Sequence, residues 1–291
     1  MRESQASLPF EPPLELGALF AFFARRAIAG IEEVVDGVYR RSLALPHGAA
    51  VVELAAAGEG VRARLWLDDA RDRASALARC RALLDLDADP AAVAAALGDD
   101  PLIGRLVRAA PGLRVPGAAS GHEIAVRAVL GQQVSLAGAA TLAGRLVAAH
   151  GVLLNRPVGA VTHVFPTSGA LAGIDDPAAL AMPQARRRAL LGLAAALDAG
   201  DIVLDDPGAD RAEVVRRLLG LPGIGPWTAS YIAMRALGDR DAFLPTDLGV
   251  RHATAALGAD PAPRAVTRLA ERWRPYRAYA VQHLWASLAA T

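Results

Sequence analysis

The sequence predicts an α+β chain in which a small N-terminal antiparallel sheet with helices precedes a mainly α-helical remainder. Three observations carry this. Val61, Ala63, Leu65 and Leu67 alternate with Arg62, Arg64 and Trp66, the two-residue period of a strand with one face on a core. Pro46-His47-Gly48 and Gly58-Glu59-Gly60 are turn clusters that divide β-type runs at Asp36–Leu45, Ala49–Ala57 and Val61–Leu67. From Asp69 onward the apolar spacing becomes helical and largely stays so. At 291 residues the chain exceeds what one core usually organises, and the change of pattern divides it into residues 1–88 and 89–291.

Taken in order, Leu14 to Ile28 is an apolar, helix-like stretch ahead of the strands. Within the helical part, Glu123–Leu130 ends at Gly131, read as a left-handed helix stop. Ser135 then caps a helix reaching His150-Gly151, which leaves Gln132 and Gln133 at a tight corner. Asn155–Pro166 reads as a connecting loop. Further helices are expected at Ala178–Met182, Pro183–Ala199, Arg211–Gly220, Pro226–Leu237, Asp247–Leu257, Pro263–Trp273 and Tyr276–Leu288.

Composition removes several function classes. Hydrophobic residues make up 53% of the chain, yet no uninterrupted apolar run is long enough to span a bilayer. Acidic residues and prolines stand where a signal peptide needs a basic then an apolar stretch, so a soluble cytoplasmic protein is expected. Cys80 is the one cysteine; it precludes an internal disulfide, an all-cysteine zinc site and an iron–sulfur cluster, and reads as a small core residue. Histidines are scattered and no GxSxG elbow occurs, which leaves zinc and serine hydrolases without support. All cationic side chains apart from histidine are arginine. Without lysine there is no side-chain Schiff base. Net charge is only +1, but from residue 211 to the end eleven arginines face six acids, a surplus that suits a phosphate partner.

The most informative string is Leu221-Pro222-Gly223-Ile224-Gly225-Pro226-Trp227-Thr228-Ala229, between two expected helices. Proline at the first helical position pre-sets the backbone. Gly223 and Gly225 are read as permitting backbone angles other residues resist and as letting another chain approach. Leu221 and Ile224 would plug the hairpin into the core, leaving N–H groups at the helix start to face an anion. A lone GxG is more often an ordinary helix corner. The full order at a helix–helix junction points instead to a helix-hairpin-helix at about 211–237, which grips DNA backbone without reading sequence.

Downstream, Thr246 reads as an N-cap that puts Asp247 in the first turn of a helix. Dipole stabilisation, worth roughly 0.3–1 kcal/mol, is the plain reading of such a carboxylate. Beside the hairpin it becomes a candidate for glycosidic chemistry, in which a preorganised anion faces positive charge growing on a sugar. Trp227 and Tyr231 are four apart and share a helix face, and Trp285 lies on the last helix. Such rings would stack on an extruded base carrying positive charge, whereas Trp273 and Tyr279 read as core.

Together with Phe22-Phe23-Ala24-Arg25-Arg26-Ala27, Leu130-Gly131-Gln132-Gln133-Val134-Ser135, Phe243–Asp247, Glu271–Pro275 and His283-Leu284-Trp285, these residues make the chain resemble the bacterial DNA-3-methyladenine glycosylase II branch of the helix-hairpin-helix DNA glycosylases. The resemblance runs nearly end to end. It implies a helical glycosylase core in two lobes, with the active-site cleft between them. By the same resemblance Asp247 is the catalytic aspartate, and Phe22, Gln132, Trp227, Tyr231 and Trp285 line the base pocket. Gln133 stands where the family inserts a wedge into the duplex. Gly223, Gly225 and Thr228 match DNA-backbone contacts, and the carbonyls of Leu219, Leu221 and Ile224 match those that hold a monovalent cation such as sodium. Trp227 occupies the place of the Schiff-base lysine of lyase-type relatives. A monomeric, monofunctional enzyme that removes alkylated bases (3-methyladenine, 7-methylguanine type) from duplex DNA is therefore implied, with no cofactor for catalysis. Leu248 and Ala286 depart from the family pattern, where tyrosines are usual, which bears on substrate range. The competing readings are a glycosylase for oxidised bases, disfavoured by the apolar aromatic pocket, or for deaminated ones, and a non-catalytic clamp, which needs no carboxylate at Asp247.

Overall fold

The computed structural model describes residues 2–58, 60–176, 180–206 and 208–289. Five antiparallel strands form the N-terminal sheet: β1 (Arg2–Leu8), β2 (Glu32–Val35), β3 (Val38–Leu45), β4 (Gly48–Ala57) and β5 (Gly60–Leu67), in spatial order β1-β5-β4-β3-β2. The central three are the expected runs. The flanking pair are additions, because β1 and the short β2 carry too few apolar residues to alternate visibly. Helix α1 (Leu16–Ala24) and helix α2 (Arg73–Leu84) cover one face, burying Leu19, Phe20 and Phe23 with Tyr39, Leu54, Leu65 and Cys80.

The sheet's other face is where the sequence reading needs correction. Asn155–Pro166 is not a loop: β6 (Val152–Val158) and β7 (Val161–Val164) form a hairpin, which follows the helix pair α5 (Gly121–Leu130) and α6 (Leu136–His150). Leu154, Val161 and Val164 pack on Val51 and Trp66, so Trp66 is buried and not solvent-facing. The hairpin was illegible because Asn155, Arg156 and Pro157 interrupt its apolar period. Before this pair come α3 (Pro90–Leu97) and α4 (Gly104–Ala109). After the hairpin come α7 (Ser168–Ala172), α8 (Gln184–Asp198), α9 (Arg211–Leu219), α10 (Pro226–Ala236), α11 (Leu248–Ala256), α12 (Pro263–Ala270) and α13 (Arg277–Ala289). The helix expected over Ala178–Met182 lies partly outside the described residues. No helix among those described is long and apolar enough to cross a membrane.

The helices bury two separate cores. One gathers Val126, Val129, Leu146, Leu190, Leu193, Leu218, Ile224 and Ile232 from α5, α6, α8, α9 and α10. The other gathers Val107, Met234, Phe243, Val250, Val266, Trp273, Tyr279 and Leu284 from α4, α10, α11, α12 and α13. Different faces of α10 enter different cores, Ile232 in the first and Ala233 and Met234 in the second. That helix is the spine between two lobes.

A buried ionic cluster fastens sheet to helices. Arg41 on β3 donates to Glu123 on α5 at 2.5 Å, and Arg127 on α5 donates to Glu32 on β2 at 2.7 Å and to Glu123 at 2.9 Å. The Tyr39 hydroxyl donates to Glu32 at 2.5 Å. Burial works against the Glu32 charge, yet Arg127, Arg41 and the Tyr39 hydroxyl hold its carboxyl below the usual range. Charges this buried persist only because each is paired.

His283 on α13 is 3% exposed, and burial pushes its imidazole down to about 4 from 6.5. Its folded-state value lies below the unfolded one, so the neutral form stabilises the fold above pH 6.5, and that contribution fades as pH falls towards 4. Denaturation of wild type and His283→Leu across this window should show the wild type alone losing about 3 kcal/mol more than its carboxylates account for. Parallel curves would show that His283 does not titrate against the fold.

Candidate active site

The cleft opens between the lobes, with a volume of about 1740 Å³. Ten sequence-predicted residues line it: Phe22, Gln132, Gln133, Gly223, Gly225, Trp227, Thr228, Tyr231, Asp247 and Trp285. Leu248 and Ala286 line it too, Leu248 being 64% exposed at its mouth. Leu219, Leu221 and Ile224 lie outside its lining, on the hairpin's other side.

Asp247 is itself the N-cap of α11, and Thr246 is not; its Oδ1 accepts the Val250 N–H at 2.9 Å. Two further donors converge on the carboxylate. Trp285 Nε1 donates to Oδ1 at 2.8 Å and Trp227 Nε1 donates to Oδ2 at 3.0 Å. Indoles from α10 and α13 thus grip one carboxylate at the start of α11. Three donors fix its orientation, and a carboxylate has lone pairs to spare for the cleft. Gly249 is where it is because of this grip. A Cβ there would lie 2.9 Å from Trp285 Cδ1 and 3.1 Å from Asp247 Oδ1.

The aromatic rings form a continuous wall. Trp227 and Tyr231 stack at 5.2 Å between centroids with 11° between planes, as their four-residue spacing implies. Phe22 and Trp285 stack at 6.4 Å and 25°. Two arginines that the motif reading left without a role stand behind this wall. Arg26 places its guanidinium 3.6 Å from the Phe22 ring centroid, and Arg235 lies 4.9 Å from the same centroid. Arg235 also donates to the Tyr231 hydroxyl at 2.7 Å, four residues back on α10, a spacing that was readable.

At the other end of the cleft the corner and the hairpin are joined. Helix α5 ends at Leu130 as expected, but the left-handed residue is Gln133, with φ 55°, whereas Gly131 is right-handed. Gln133 is exposed at the tip. Gln132 turns the other way and donates through Nε2 to the Gly223 carbonyl at 2.9 Å and to the Thr228 hydroxyl at 3.1 Å. Thr228 is therefore 3% exposed, and its hydroxyl faces Gln132, not outward. Gly223 has φ +85°, and a Cβ on it would meet the Ala189 Cβ at 2.7 Å, so glycine is required twice over. Gly225 has φ −92° with open space around it, so the angle argument holds for Gly223 alone.

Five of the eleven C-terminal arginines are ion-paired among the described residues. Arg216 and Arg217 pair with Glu213, Arg272 with Asp100, and Arg274 and Arg277 with Asp241 and Glu271. The indole grip generates a direct check. Gly249→Ala should push Trp285 off Asp247 and change the tryptophan emission spectrum and its quenching; an emission identical to wild type would contradict the geometry.

Comparison with known proteins follows the same lines. Residues 5–120 match the model of the AlkA N-terminal domain. The "Probable bifunctional transcriptional activator/DNA repair enzyme AlkA" of Mycobacterium tuberculosis is 51% identical over 281 residues, covering 97% of this chain. The chain spans 56% of the length of that relative. The "DNA-3-methyladenine glycosylase 2" of Escherichia coli is 37% identical over 285 residues, covering 96% of each chain. In fold, the chain superposes on the 3-methyladenine DNA glycosylase of Archaeoglobus fulgidus with a TM-score of 0.81, 22% identity and 97% coverage of both. With near-complete overlap at that identity to the Escherichia coli protein, the chain belongs to the AlkA, or DNA-3-methyladenine glycosylase 2, family.

Proposed function

We propose that this chain is a monofunctional DNA N-glycosylase that hydrolyses the N-glycosidic bond of alkylated bases in duplex DNA. The observation that carries the reading is Asp247, held by two indoles and a helix start at the mouth of an aromatic cleft beside a backbone-gripping hairpin. The relatives' names speak of 3-methyladenine glycosylases and of DNA repair.

The steps follow from the residues. Gly223, Gly225 and the backbone at Thr228 meet the DNA backbone at the start of α10, where the helix dipole favours a phosphate. Gln133 enters the duplex and fills the place of the extruded nucleotide, which costs a few kcal/mol to unstack. The base enters the cleft against Trp227, whose other partner is Tyr231. The C1′–N bond then breaks, its electron pair leaving with the base, and Asp247 opposes the positive charge left on the sugar. Water adds to C1′ and gives up a proton, leaving an abasic site in an unbroken strand. No lysine is present to attack instead.

A monovalent cation fits the hairpin. Leu221 O accepts only the Ile224 N–H at 3.1 Å, and no backbone N–H among the described residues reaches Leu219 O or Ile224 O. Three uncharged oxygens suit sodium, whose charge would add to the attraction for a phosphate. The enzyme would act as a monomer on the chromosome in the cytoplasm.

Release of free bases from methylated duplex DNA, measured for wild type beside Asp247→Asn, tests the reading. Wild type should release methylpurines and leave intact abasic strands. Asp247→Asn should fold normally and lose at least about a hundredfold in rate. Full excision by the variant would remove the carboxylate from the mechanism.

A further inference from the structure

Among the described residues, the wall behind the base pocket gathers more positive charge than negative. Four guanidiniums gather there, those of Arg26, Arg41, Arg127 and Arg235, together with the carboxylates of Glu32 and Glu123. The two carboxylates are bound by Arg41 and Arg127. Among the described residues, no carboxylate lies within ion-pair distance of Arg26 or Arg235. Arg235 is 4% exposed and satisfies its N–H groups on the carbonyls of Pro116 and Gly117 and the Tyr231 hydroxyl. Arg26 donates to the Phe22 carbonyl at 3.3 Å and lies across the Phe22 ring. Burial, chiefly, pushes the Arg26 guanidinium down to about 10, so it remains charged at neutral pH.

A buried cation and a half-buried one without ion-pair partners are costly, and Met or Leu would fill the same space more cheaply. Their field is felt where a base would sit. Burial opposes ionisation of the Tyr231 phenol, but Arg235, Arg26 and Arg127 outweigh it and hold the hydroxyl below the usual phenol range. The cleft lining therefore carries both signs of charge, the Asp247 carboxylate and the guanidiniums of Arg26 and Arg235.

We infer that Arg26 and Arg235 are specificity-determining residues that extend excision to uncharged lesions, whose bases leave as anions. The inference rests on the glycosylase reading. When the C1′–N bond of a neutral purine breaks, the electron pair leaves with the base, which departs with a negative charge and later takes a proton from water. A base already cationic from N-alkylation departs neutral. Positive charge against the pocket wall stabilises the anion that forms from the first, and opposes entry of the second, which arrives already cationic. The aromatic faces supply the opposite preference, since they attract cationic rings. One pocket thus balances two charge classes of lesion, and Arg26 and Arg235 set the balance.

The test is a ratio. Release of hypoxanthine, a neutral deaminated purine, and of 7-methylguanine, a cationic base, is measured from otherwise identical duplexes with enzyme in excess but far below saturation, so that each rate includes entry of the base into the pocket. Arg26→Met should lower the hypoxanthine-to-7-methylguanine ratio about tenfold, and Arg26→Lys should restore most of it. Loss of pocket shape alone would depress both rates together and leave the ratio fixed, which overturns the inference. Wild type that releases 7-methylguanine and no hypoxanthine also overturns it. Release of neither base by wild type sinks the glycosylase reading itself, and the inference falls with it. Should Arg26→Met fail to fold by thermal melting, Arg26→Gln, which keeps a donor for the Phe22 carbonyl, carries the same comparison.

Discussion

Everything in the cleft depends on one carboxylate held by three N–H groups from three helices. Trp227 belongs to the helix that starts at the hairpin, Trp285 to the last helix, and Val250 to the helix that Asp247 itself caps. These contacts place the hairpin, the aromatic wall and the carboxylate in one frame. The frame demands small residues where parts converge. Gly249 lets Trp285 close on Asp247, and Gly223 lets α8 pack against the hairpin. It also explains why α10 serves both lobes. A helix that sends Trp227 and Tyr231 into the cleft, while its buried faces enter two cores, sets the angle between them.

The N-terminal sheet takes part in this frame through helix α1 and through strands β2 and β3. Phe22 and Arg26 lie on and just beyond α1, and the cluster of Glu32, Tyr39, Arg41, Glu123 and Arg127 locks that region to α5. Arg127 also donates to the Arg26 carbonyl at 2.6 Å. One buried network therefore does two things: it fastens the sheet, and it fixes the backbone from which the charged wall of the pocket is built. At the cleft's far end, Gln132 ties the corner carrying Gln133 to the hairpin, so a shift at the phosphate grip moves the wedge as well.

Local chemistry was legible in the sequence and long-range chemistry was not. The hairpin, the Trp227–Tyr231 stack and the Ser135 cap each follow from spacing within a few residues, and the structure has them. The β6–β7 hairpin was missed because polar residues break its period, and Trp66 was misplaced because its cover was unknown. Asp247 was expected one position inside its helix, since Thr246 is an equally good cap by type. The left-handed turn was assigned to Gly131 on general preference, yet the chain puts Gln133 there, at the exposed tip. Nothing local in Trp285 says that its indole N–H reaches a carboxylate 38 residues back. Nor does composition say which arginines are paired. Arg216, Arg217, Arg272, Arg274 and Arg277 are ion-paired, while Arg26 and Arg235, far apart in the sequence, meet at the Phe22 ring.

The central claim is that Asp247 faces a positive charge that grows on the sugar. The most direct measurement compares binding of wild type and Asp247→Asn to two duplexes: one with a neutral tetrahydrofuran abasic site, one with a pyrrolidine whose ring nitrogen is protonated. An enzyme complementary to a sugar cation binds the charged mimic more tightly. Wild type should prefer the pyrrolidine by about tenfold or more, and the variant should lose that preference while binding the tetrahydrofuran duplex as before. Equal affinity of wild type for both duplexes would contradict the account.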